Sequence, residues 1–259
     1  MNLSSAADAS RAEGAARPFA VPLTVSLVVT AALIGASWWA WRQLPVDARI
    51  PDHWNAAGQV DKYRGRDSLF IIPGLTLGLT LLFLFLPRFE PRRAHLLLSS
   101  RAYRAVWLAI VLFSAGLQLF KIEAALGVPV SVEKWIGAGL GALFLVIGNF
   151  LGKVRSNFMF GVRTPWTLSS ELSWNRTHRL AGWMFVGIGL ALLVCAPLRW
   201  FEGHLHYVII SGVVALLVTV LPYSYFVWRS DPEKAVGPSD DSSSPRPPPR
   251  HRPPTQIPQ

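Results

Sequence analysis

Long apolar runs alternate with short polar segments along the chain, and this pattern predicts helices that cross a membrane. Six runs of about 17 to 23 residues carry almost no charge, which is enough to span a hydrocarbon core of roughly 30 Å. Their approximate bounds are 19–41, 68–86, 103–120, 135–151, 180–198 and 207–228. Three tryptophans close the first run as an interfacial belt, so we interpret it as a retained span and not as a signal peptide.

The composition supports the same fold class. Hydrophobic residues make up 51% of the 259 residues and charged residues only 15%, which is too apolar for one water-soluble domain of this length. We therefore predict an all-α, polytopic protein of the cell membrane, with about six transmembrane helices and the lipid bilayer as its solvent. The single cysteine, Cys195, excludes an intramolecular disulfide.

The distribution of basic residues predicts the orientation of the chain. The sequence contains 25 lysines and arginines against 15 acidic residues, and 17 of these basic residues fall in the segments on the side of the N-terminus. By the positive-inside rule, both termini are expected in the cytoplasm. The charges lie in short segments between apolar runs and not on one helix, so they do not indicate direct binding of nucleic acid.

Changes in composition divide the chain into four parts. Residues 1–18 form a cytoplasmic N-terminal segment, and residues 19–102 contain the first two spans with an outer loop between them. Residues 103–229 contain four further spans. Residues 230–259 are rich in serine, aspartate and proline, so they cannot bury a core and are expected to form a disordered cytoplasmic tail.

The spans themselves carry few polar groups. None contains an ionisable residue in its apolar core, which argues against an ion-coupled carrier. Gln118 and Asn149 are expected to form hydrogen bonds between helices. Four glycines share one face of the fourth span and predict close packing against another helix, in the same chain or in a second copy: Gly137, Gly141, Gly148 and Gly152.

The outer loop between the first two spans contains prolines and the turn sequence Asn55 to Gly58, so we expect an ordered cap. His53, with Asp52 or Asp61, suggests a metal or ligand site at first sight. The spacing matches no metal motif, and the structured cap is favoured. We predict neither a metal nor a cofactor.

The inner loop between the fourth and fifth spans is denser in polar residues. Thr164 and Pro165 are typical of a helix start, and we predict one helix that runs from Pro165 into the fifth span. Trp166 and Trp174 suit the headgroup layer. Glu171 and His178 share a face of this helix, but no nucleophile or cofactor loop completes a catalytic site, so we predict that the protein is not an enzyme.

These two loops resemble known families. The inner loop is similar to the signature of SdpI-type membrane proteins at the following residues: Asn157, Gly161, Arg163, Thr164, Pro165, Trp166, Trp174, Thr177, His178 and Arg179. The outer loop is similar to the domain of unknown function DUF1648 at the following residues: Pro51, His53, Trp54, Asn55, Gly58 and Asp61.

The resemblance implies a function in immunity. SdpI-type proteins protect a cell from its own secreted, membrane-acting peptide and recruit a repressor to the membrane. By resemblance, the outer loop would meet a secreted toxin, and the inner loop would hold or signal to a cytoplasmic repressor. A small-solute or peptide transporter is the alternative, and charge-free spans argue against it.

Overall fold

This computed structural model describes residues 3–198, 201 and 203–234, with side chains from residue 19 onward apart from that of residue 93. The part of the predicted tail from residue 235 on lies outside the described residues. The elements follow in chain order: α1 (Leu3–Gln43), β1 (Arg49–Trp54), β2 (Val60–Gly65), a 3-10 turn (Arg66–Phe70), α2 (Ile71–Phe89), α3 (Arg93–Leu98), α4 (Ser100–Ala125), α5 (Val132–Leu151), α6 (Pro165–Leu168), α7 (Glu171–Cys195) and α8 (Leu205–Arg229).

Six helices in the described part of the chain are long and apolar enough to cross a bilayer. They are α1 from Phe19 onward, the 3-10 turn with α2, α4, α5, α7 and α8. The predicted fold class, a mostly helical polytopic membrane protein, is confirmed. The sequence analysis did not foresee the small antiparallel sheet formed by β1 and β2.

The connections between the helices collect at the two ends of the bundle. The β1–β2 hairpin lies with the end of α4, the start of α5 and the segment after α7. The loop that follows α5 lies at the other end, with the α2–α4 connection and the end of α8. We call these ends outer and inner. Which of them faces the cytoplasm stays a prediction of the basic-residue count.

Direct backbone contact joins α5 to the antiparallel helix α7. A Cβ atom at Gly148 would lie 2.6 Å from the carbonyl oxygen of Gly182, and one at Gly141 would lie 2.9 Å from that of Gly189. The reverse contacts, from Gly182 and Gly189 onto α5, are equally close at 2.8 Å. Helices without side chains between them approach closely and gain van der Waals contact. Inside a bilayer this contact is important, because lipid tails are as apolar as the helices and no hydrophobic effect drives the helices together.

The other two predicted packing glycines contact the same partner region. A Cβ atom at Gly137 would lie 2.6 Å from the ring of Phe201, just after α7, and one at Gly152 would lie 3.3 Å from the Cα atom of Arg179. All four glycines of the predicted face therefore pack within the chain. Of the two partners that the sequence left open, the structure selects the intrachain one.

A buried glutamine joins three elements in the outer half. The side-chain amide of Gln118 on α4 donates to the Ser37 hydroxyl of α1 at 2.8 Å and to the Leu69 carbonyl at 3.0 Å. The predicted bonding of Gln118 between helices is confirmed. For Asn149 it is wrong, because this side chain is exposed and makes no hydrogen bond within the described residues.

The helix predicted to run from Pro165 into the fifth span is also wrong, since the structure breaks it in two. The short helix α6 ends at Leu168, where the Ser169 amide donates to the Pro165 carbonyl. Ser170 then caps α7, its hydroxyl accepting the amide of Ser173 at 2.9 Å. A serine that caps a helix has extended backbone angles, and it therefore interrupts the preceding turn.

We expect Gly141→Leu and Gly148→Leu each to lower both membrane accumulation and the thermal-unfolding temperature in detergent. Each leucine would drive its Cβ atom into the backbone of α7, and overpacking of this kind costs about 1 to 3 kcal/mol or more. The matched control is Gly187→Leu on α7, where an added Cβ meets no atom within 4 Å. Wild-type accumulation and stability of both α5 variants would contradict the role of this contact.

Candidate functional site

The outer candidate surface is the β1–β2 hairpin, residues 49–65. Its turn forms because the Asn55 side-chain oxygen accepts the amides of Ala57 at 2.9 Å and Gln59 at 3.0 Å. Gly58 has a φ of +73°, in the left-handed region that favours glycine. The predicted turn from Asn55 to Gly58 thus closes the hairpin, and the loop is ordered as expected.

Each strand of the hairpin carries one extra residue. Pro51 pairs with Tyr63 and His53 with Lys62, so Asp52 has no partner in the ladder. On the second strand Asp61 is the unpaired residue. Such bulges turn a side chain away from its regular direction. They direct Asp52 toward α4 and place Asp61 2.6 Å from the Nδ1 atom of His53.

An ion-pair cluster joins the hairpin to the outer end of α4. One carboxylate oxygen of Asp52 lies 2.8 Å from the Lys121 ammonium, and the other lies 2.5 Å from the Arg64 guanidinium. Lys121 is almost fully buried and also donates to the Ser68 carbonyl at 3.0 Å. Burial raises the pKa of Asp52, but the hydrogen bonds and charges of Lys121 and Arg64 outweigh it, so this pKa lies below 3.8.

Apolar and steric contacts hold the rest of the hairpin in place. Ile50 is buried against α1 and α4, and the Trp54 ring lies 4.9 Å from that of Phe120. A Cβ atom at Gly58 would lie 2.2 Å from a Glu133 carboxylate oxygen, so the turn sits directly on the first residues of α5. The same Glu133 oxygen accepts the Gly203 amide at 2.9 Å.

The predicted residues of the outer loop therefore divide into two groups. Trp54 and Gly58 face the helices, and Pro51 is half-buried. His53, Asn55 and Asp61 are exposed. Of these three, His53 and Asp61 form a polar pair that is open to an outside ligand.

The inner candidate surface is the irregular segment that follows α5, residues 152–164, which we call the inner loop. Asn157 is fully buried and organises it. Its side-chain oxygen accepts the amides of Met159 and Phe160, both at 2.9 Å, while its amide group donates to the Arg155 carbonyl at 2.9 Å. A single side chain thus replaces the main-chain hydrogen bonds that a helix would supply.

His178 lies directly beneath the loop. Its Nε2 atom accepts the Val162 amide at 3.0 Å, and its Nδ1 atom lies 2.8 Å from the Trp174 carbonyl. An amide only donates and a carbonyl only accepts, so the ring is the neutral tautomer with its proton on Nδ1. Gly161, with a φ of +112°, lies over this ring, where a Cβ atom would come within 2.4 Å of Nε2.

Trp174 completes the support of the loop. It is fully buried, stacks on His178 with ring centres 4.0 Å apart and donates to the Val154 carbonyl at 2.7 Å. Because its ring is buried in the protein, Trp174 does not contact lipid headgroups, and its depth at the headgroup layer stays a prediction. Glu171 and His178, which share a face in the sequence pattern, have different surroundings: both ring nitrogens of His178 bind the main chain, while Glu171 is exposed.

The remaining predicted residues surround the start of α6. The Thr164 hydroxyl accepts the Thr167 amide at 3.2 Å, and the Thr167 hydroxyl accepts the Thr164 amide at 2.9 Å, so the predicted helix start is a full capping box. Arg163 and Pro165 are exposed, and Trp166 is half-buried.

Their side chains differ in what they contact. Arg163 donates to the Phe158 carbonyl of the same loop at 2.5 Å. The Trp166 indole donates to the Ser224 hydroxyl of α8. Thr177 is fully buried, and Arg179 is exposed on α7.

The sequence analysis missed the residues that hold the inner loop from the other side. Both carboxylate oxygens of Glu90, after α2, accept the Phe158 amide at 3.0 and 3.2 Å. The Ser99 hydroxyl accepts the Arg155 amide at 2.9 Å. One signal was present, because Glu90 is the single acidic residue among four arginines between the second and third spans.

These geometries coincide with two family matches. Residues 153–225 match the SdpI/YfhL protein family, and residues 28–77 match the domain of unknown function DUF1648. The chain is 28% identical over 209 residues to the immunity protein SdpI of Bacillus subtilis (strain 168), which covers 78% of this chain and 94% of that protein. The resemblance to the SdpI family is confirmed. No solved structure matches the chain significantly.

The SdpI-type region begins in the inner loop and extends to Tyr225 near the end of α8. The DUF1648 match contains the whole hairpin with the second half of α1 and the first turns of α2 on either side of it. Each match thus contains one of the two candidate surfaces. Glu90 and Lys121, which bind these surfaces, lie between the two matched regions.

We expect Asp52→Asn to lower the unfolding temperature at neutral pH, because it leaves the buried Lys121 ammonium without its counter-charge, at a loss of about 1 to 3 kcal/mol. The folded pKa of Asp52 is depressed, so its contribution is present above 3.8 and is lost as the pH falls through the folded value. The difference from the wild type should therefore close below about pH 4. Thermal unfolding in detergent at several pH values measures it.

The control is Asp47→Asn, an exposed carboxylate before the hairpin that forms no ion pair within the described residues. It should leave the unfolding temperature unchanged across the pH range. A difference between Asp52→Asn and the wild type that persists undiminished at low pH would contradict the ion-pair assignment.

Proposed function

We propose that this chain is a non-enzymatic immunity protein of the bacterial cell membrane, which protects against a secreted, membrane-acting toxin and signals across the bilayer. The observation that carries this proposal is the similarity to the immunity protein SdpI, which extends over 94% of that protein. Both candidate surfaces lie inside the regions that match known families.

The outer hairpin is the surface proposed to meet the toxin. Ile50, Trp54 and the Asp52–Lys121 pair fix the hairpin to the helices of the bundle. On its other face, His53 and Asp61 are exposed and open to a ligand. A surface that is rigid and polar before binding loses little conformational entropy when a ligand arrives. This arrangement supports a receptor better than a lid that orders only on binding.

Two helices supply a route between the surfaces. Helix α4 holds the hairpin through Lys121 at its outer end, and at its inner end Ser99, which precedes its first residue, binds the inner loop. Helix α5 supports the turn through Glu133 and continues directly into the inner loop. A toxin that displaces the hairpin therefore acts on both helices whose other ends hold the loop.

The exposed part of the inner loop and α6 is the proposed site for a cytoplasmic repressor. Arg163 and Pro165 lie at its surface, with Trp166 half-buried beside them. The buried residues of the same motif, among them Asn157, Trp174 and His178, instead build the loop. Recognition is thus proposed for only a few residues of the matched motif.

The first test uses a toxin-sensitive strain that expresses the protein and is exposed to a membrane-acting peptide toxin. We expect the intact protein to raise survival and the double variant His53→Ala with Asp61→Ala to increase toxin sensitivity about fivefold to tenfold, as loss of one or two polar contacts would produce. Asp47→Ala, an exposed carboxylate outside the hairpin, is the matched control.

Survival is compared at equal membrane levels of each variant. Full protection by the double variant would remove the hairpin from toxin recognition. An intact protein that protects against none of the tested toxins would favour the transporter alternative.

The second test separates recognition from loop structure with Arg163→Lys. A lysine can still donate one hydrogen bond to the Phe158 carbonyl, so the loop should fold normally. It cannot present the planar fork of an arginine to a partner. We expect unchanged stability in detergent but reduced protection, while the exposed Arg101→Lys leaves both unchanged.

Trp166→Tyr is a poorer probe, because it also removes the hydrogen bond to Ser224. Wild-type protection by Arg163→Lys would make this arginine a structural residue of the loop only.

A further inference from the structure

A groove opens between α5 and α7 near their inner ends. Its volume is about 370 Å³, and part of its lining comes from three glycines of the close helix contact, which contribute no side chains. The remaining lining residues are three polar or basic ones and two apolar ones: Asn149, Lys153, Arg179, Trp183 and Val186. Gly152 and Lys153 begin the inner loop, but the groove contains none of the residues to which recognition was assigned above, neither His53 and Asp61 nor Arg163, Pro165 and Trp166.

The polar side chains of this groove carry hydrogen-bond donors that no acceptor occupies within the described residues. Arg179 and Asn149 are exposed and make no hydrogen bond or ion pair within the described residues. Among the described residues, the one side-chain contact of the Lys153 ammonium is with the Phe150 ring, with 5.1 Å between the nitrogen and the ring centre. None of the described side chains that line the groove is acidic. Arg92 and Arg163 at the same end differ, since each donates to a main-chain carbonyl of the protein itself.

The groove also lies where a membrane surface is expected. Helix α5 ends at Leu151, between Asn149 and Lys153, so its last turn marks the end of the span. Trp183, one turn beyond Arg179 on α7, is 71% exposed, which is typical of a ring at the level of lipid headgroups. Basic residues lie at one end of the groove, and the apolar Val186 lies at the other.

We propose that this groove binds the phosphate group of an anionic membrane lipid. Arg179 and Lys153 supply two positive charges for the phosphate, and the Asn149 amide adds an uncharged donor. The glycines leave room for the headgroup between the helices, and Trp183 and Val186 contact the glycerol and upper acyl chains. A lipid at this site would bind whether or not the protein has the immunity function proposed above.

The test measures thermal unfolding of the purified full-length protein in detergent micelles that contain phosphatidylglycerol or zwitterionic phosphatidylcholine. We expect phosphatidylglycerol to raise the unfolding temperature of the wild type. In the double variant Lys153→Gln with Arg179→Gln the apparent affinity for this lipid should fall about tenfold or more. Arg176→Gln, an equally exposed arginine three residues earlier on α7 that does not line the groove, should behave as wild type.

Further arms distinguish the sources of phosphate and the possible failures. A third series with inorganic phosphate should give no shift, and a shift as large as that of the lipid would overturn the lipid assignment. Equal losses in Arg176→Gln and the double variant would overturn the groove, because general charge attraction would explain them. If the double variant is unstable in phosphatidylcholine alone, Asn149→Leu is measured instead, with a wild-type lipid response counting against the site.

Discussion

Backbone contact between α5 and α7 is the constraint on which the inner half of the molecule depends. Two glycine pairs, seven residues apart on each helix, fix the distance and the antiparallel register of these helices. That register brings Gly182 level with Gly148, so the first turns of α7 extend past the end of α5. Trp174 and His178 lie on those turns, beneath the loop that leaves α5. The same contact leaves the groove beside Asn149 open, since glycines add no side chains there.

The two ends of the bundle satisfy their main-chain polar groups in different ways. The outer hairpin pairs its own strands, and its contacts with the helices, among them those of Ile50, Asp52 and Trp54, anchor it to the bundle. The inner loop has no such ladder. Its amides bind side chains instead, from Asn157 within the loop, His178 on α7 and Glu90 after α2. An amide without a hydrogen-bond partner near the hydrocarbon core costs free energy of folding. The loop therefore depends on these side chains for its conformation.

What the sequence predicted well is local. The six spans, the Asn55 turn and the Thr164 cap each follow from a few neighbouring residues whose chemistry acts over one or two turns. The errors and omissions involve distant partners. The sequence suggested a headgroup contact for Trp174, but its indole donates to the Val154 carbonyl, 20 residues away in the chain. Glu90 binds an amide 68 residues along the chain, and no spacing rule connects the two. The break after α6 could have been predicted locally, because Ser170 is a typical helix-capping residue. The pattern of apolar positions, on which the prediction was based, does not include capping residues.

The fixed turn of the hairpin also bears on how the specificity of the proposed toxin surface could change. Asn55 and Gly58 are held by turn geometry and by contact with Glu133, which leaves little freedom at either position. Ala56 and Ala57 between them are exposed and small. New side chains can be added at these two positions without moving the strands or the helices beneath. If the hairpin meets a toxin as proposed, proteins built on this scaffold can acquire new ligands by substitution at a two-residue tip, while the rest of the hairpin keeps its register.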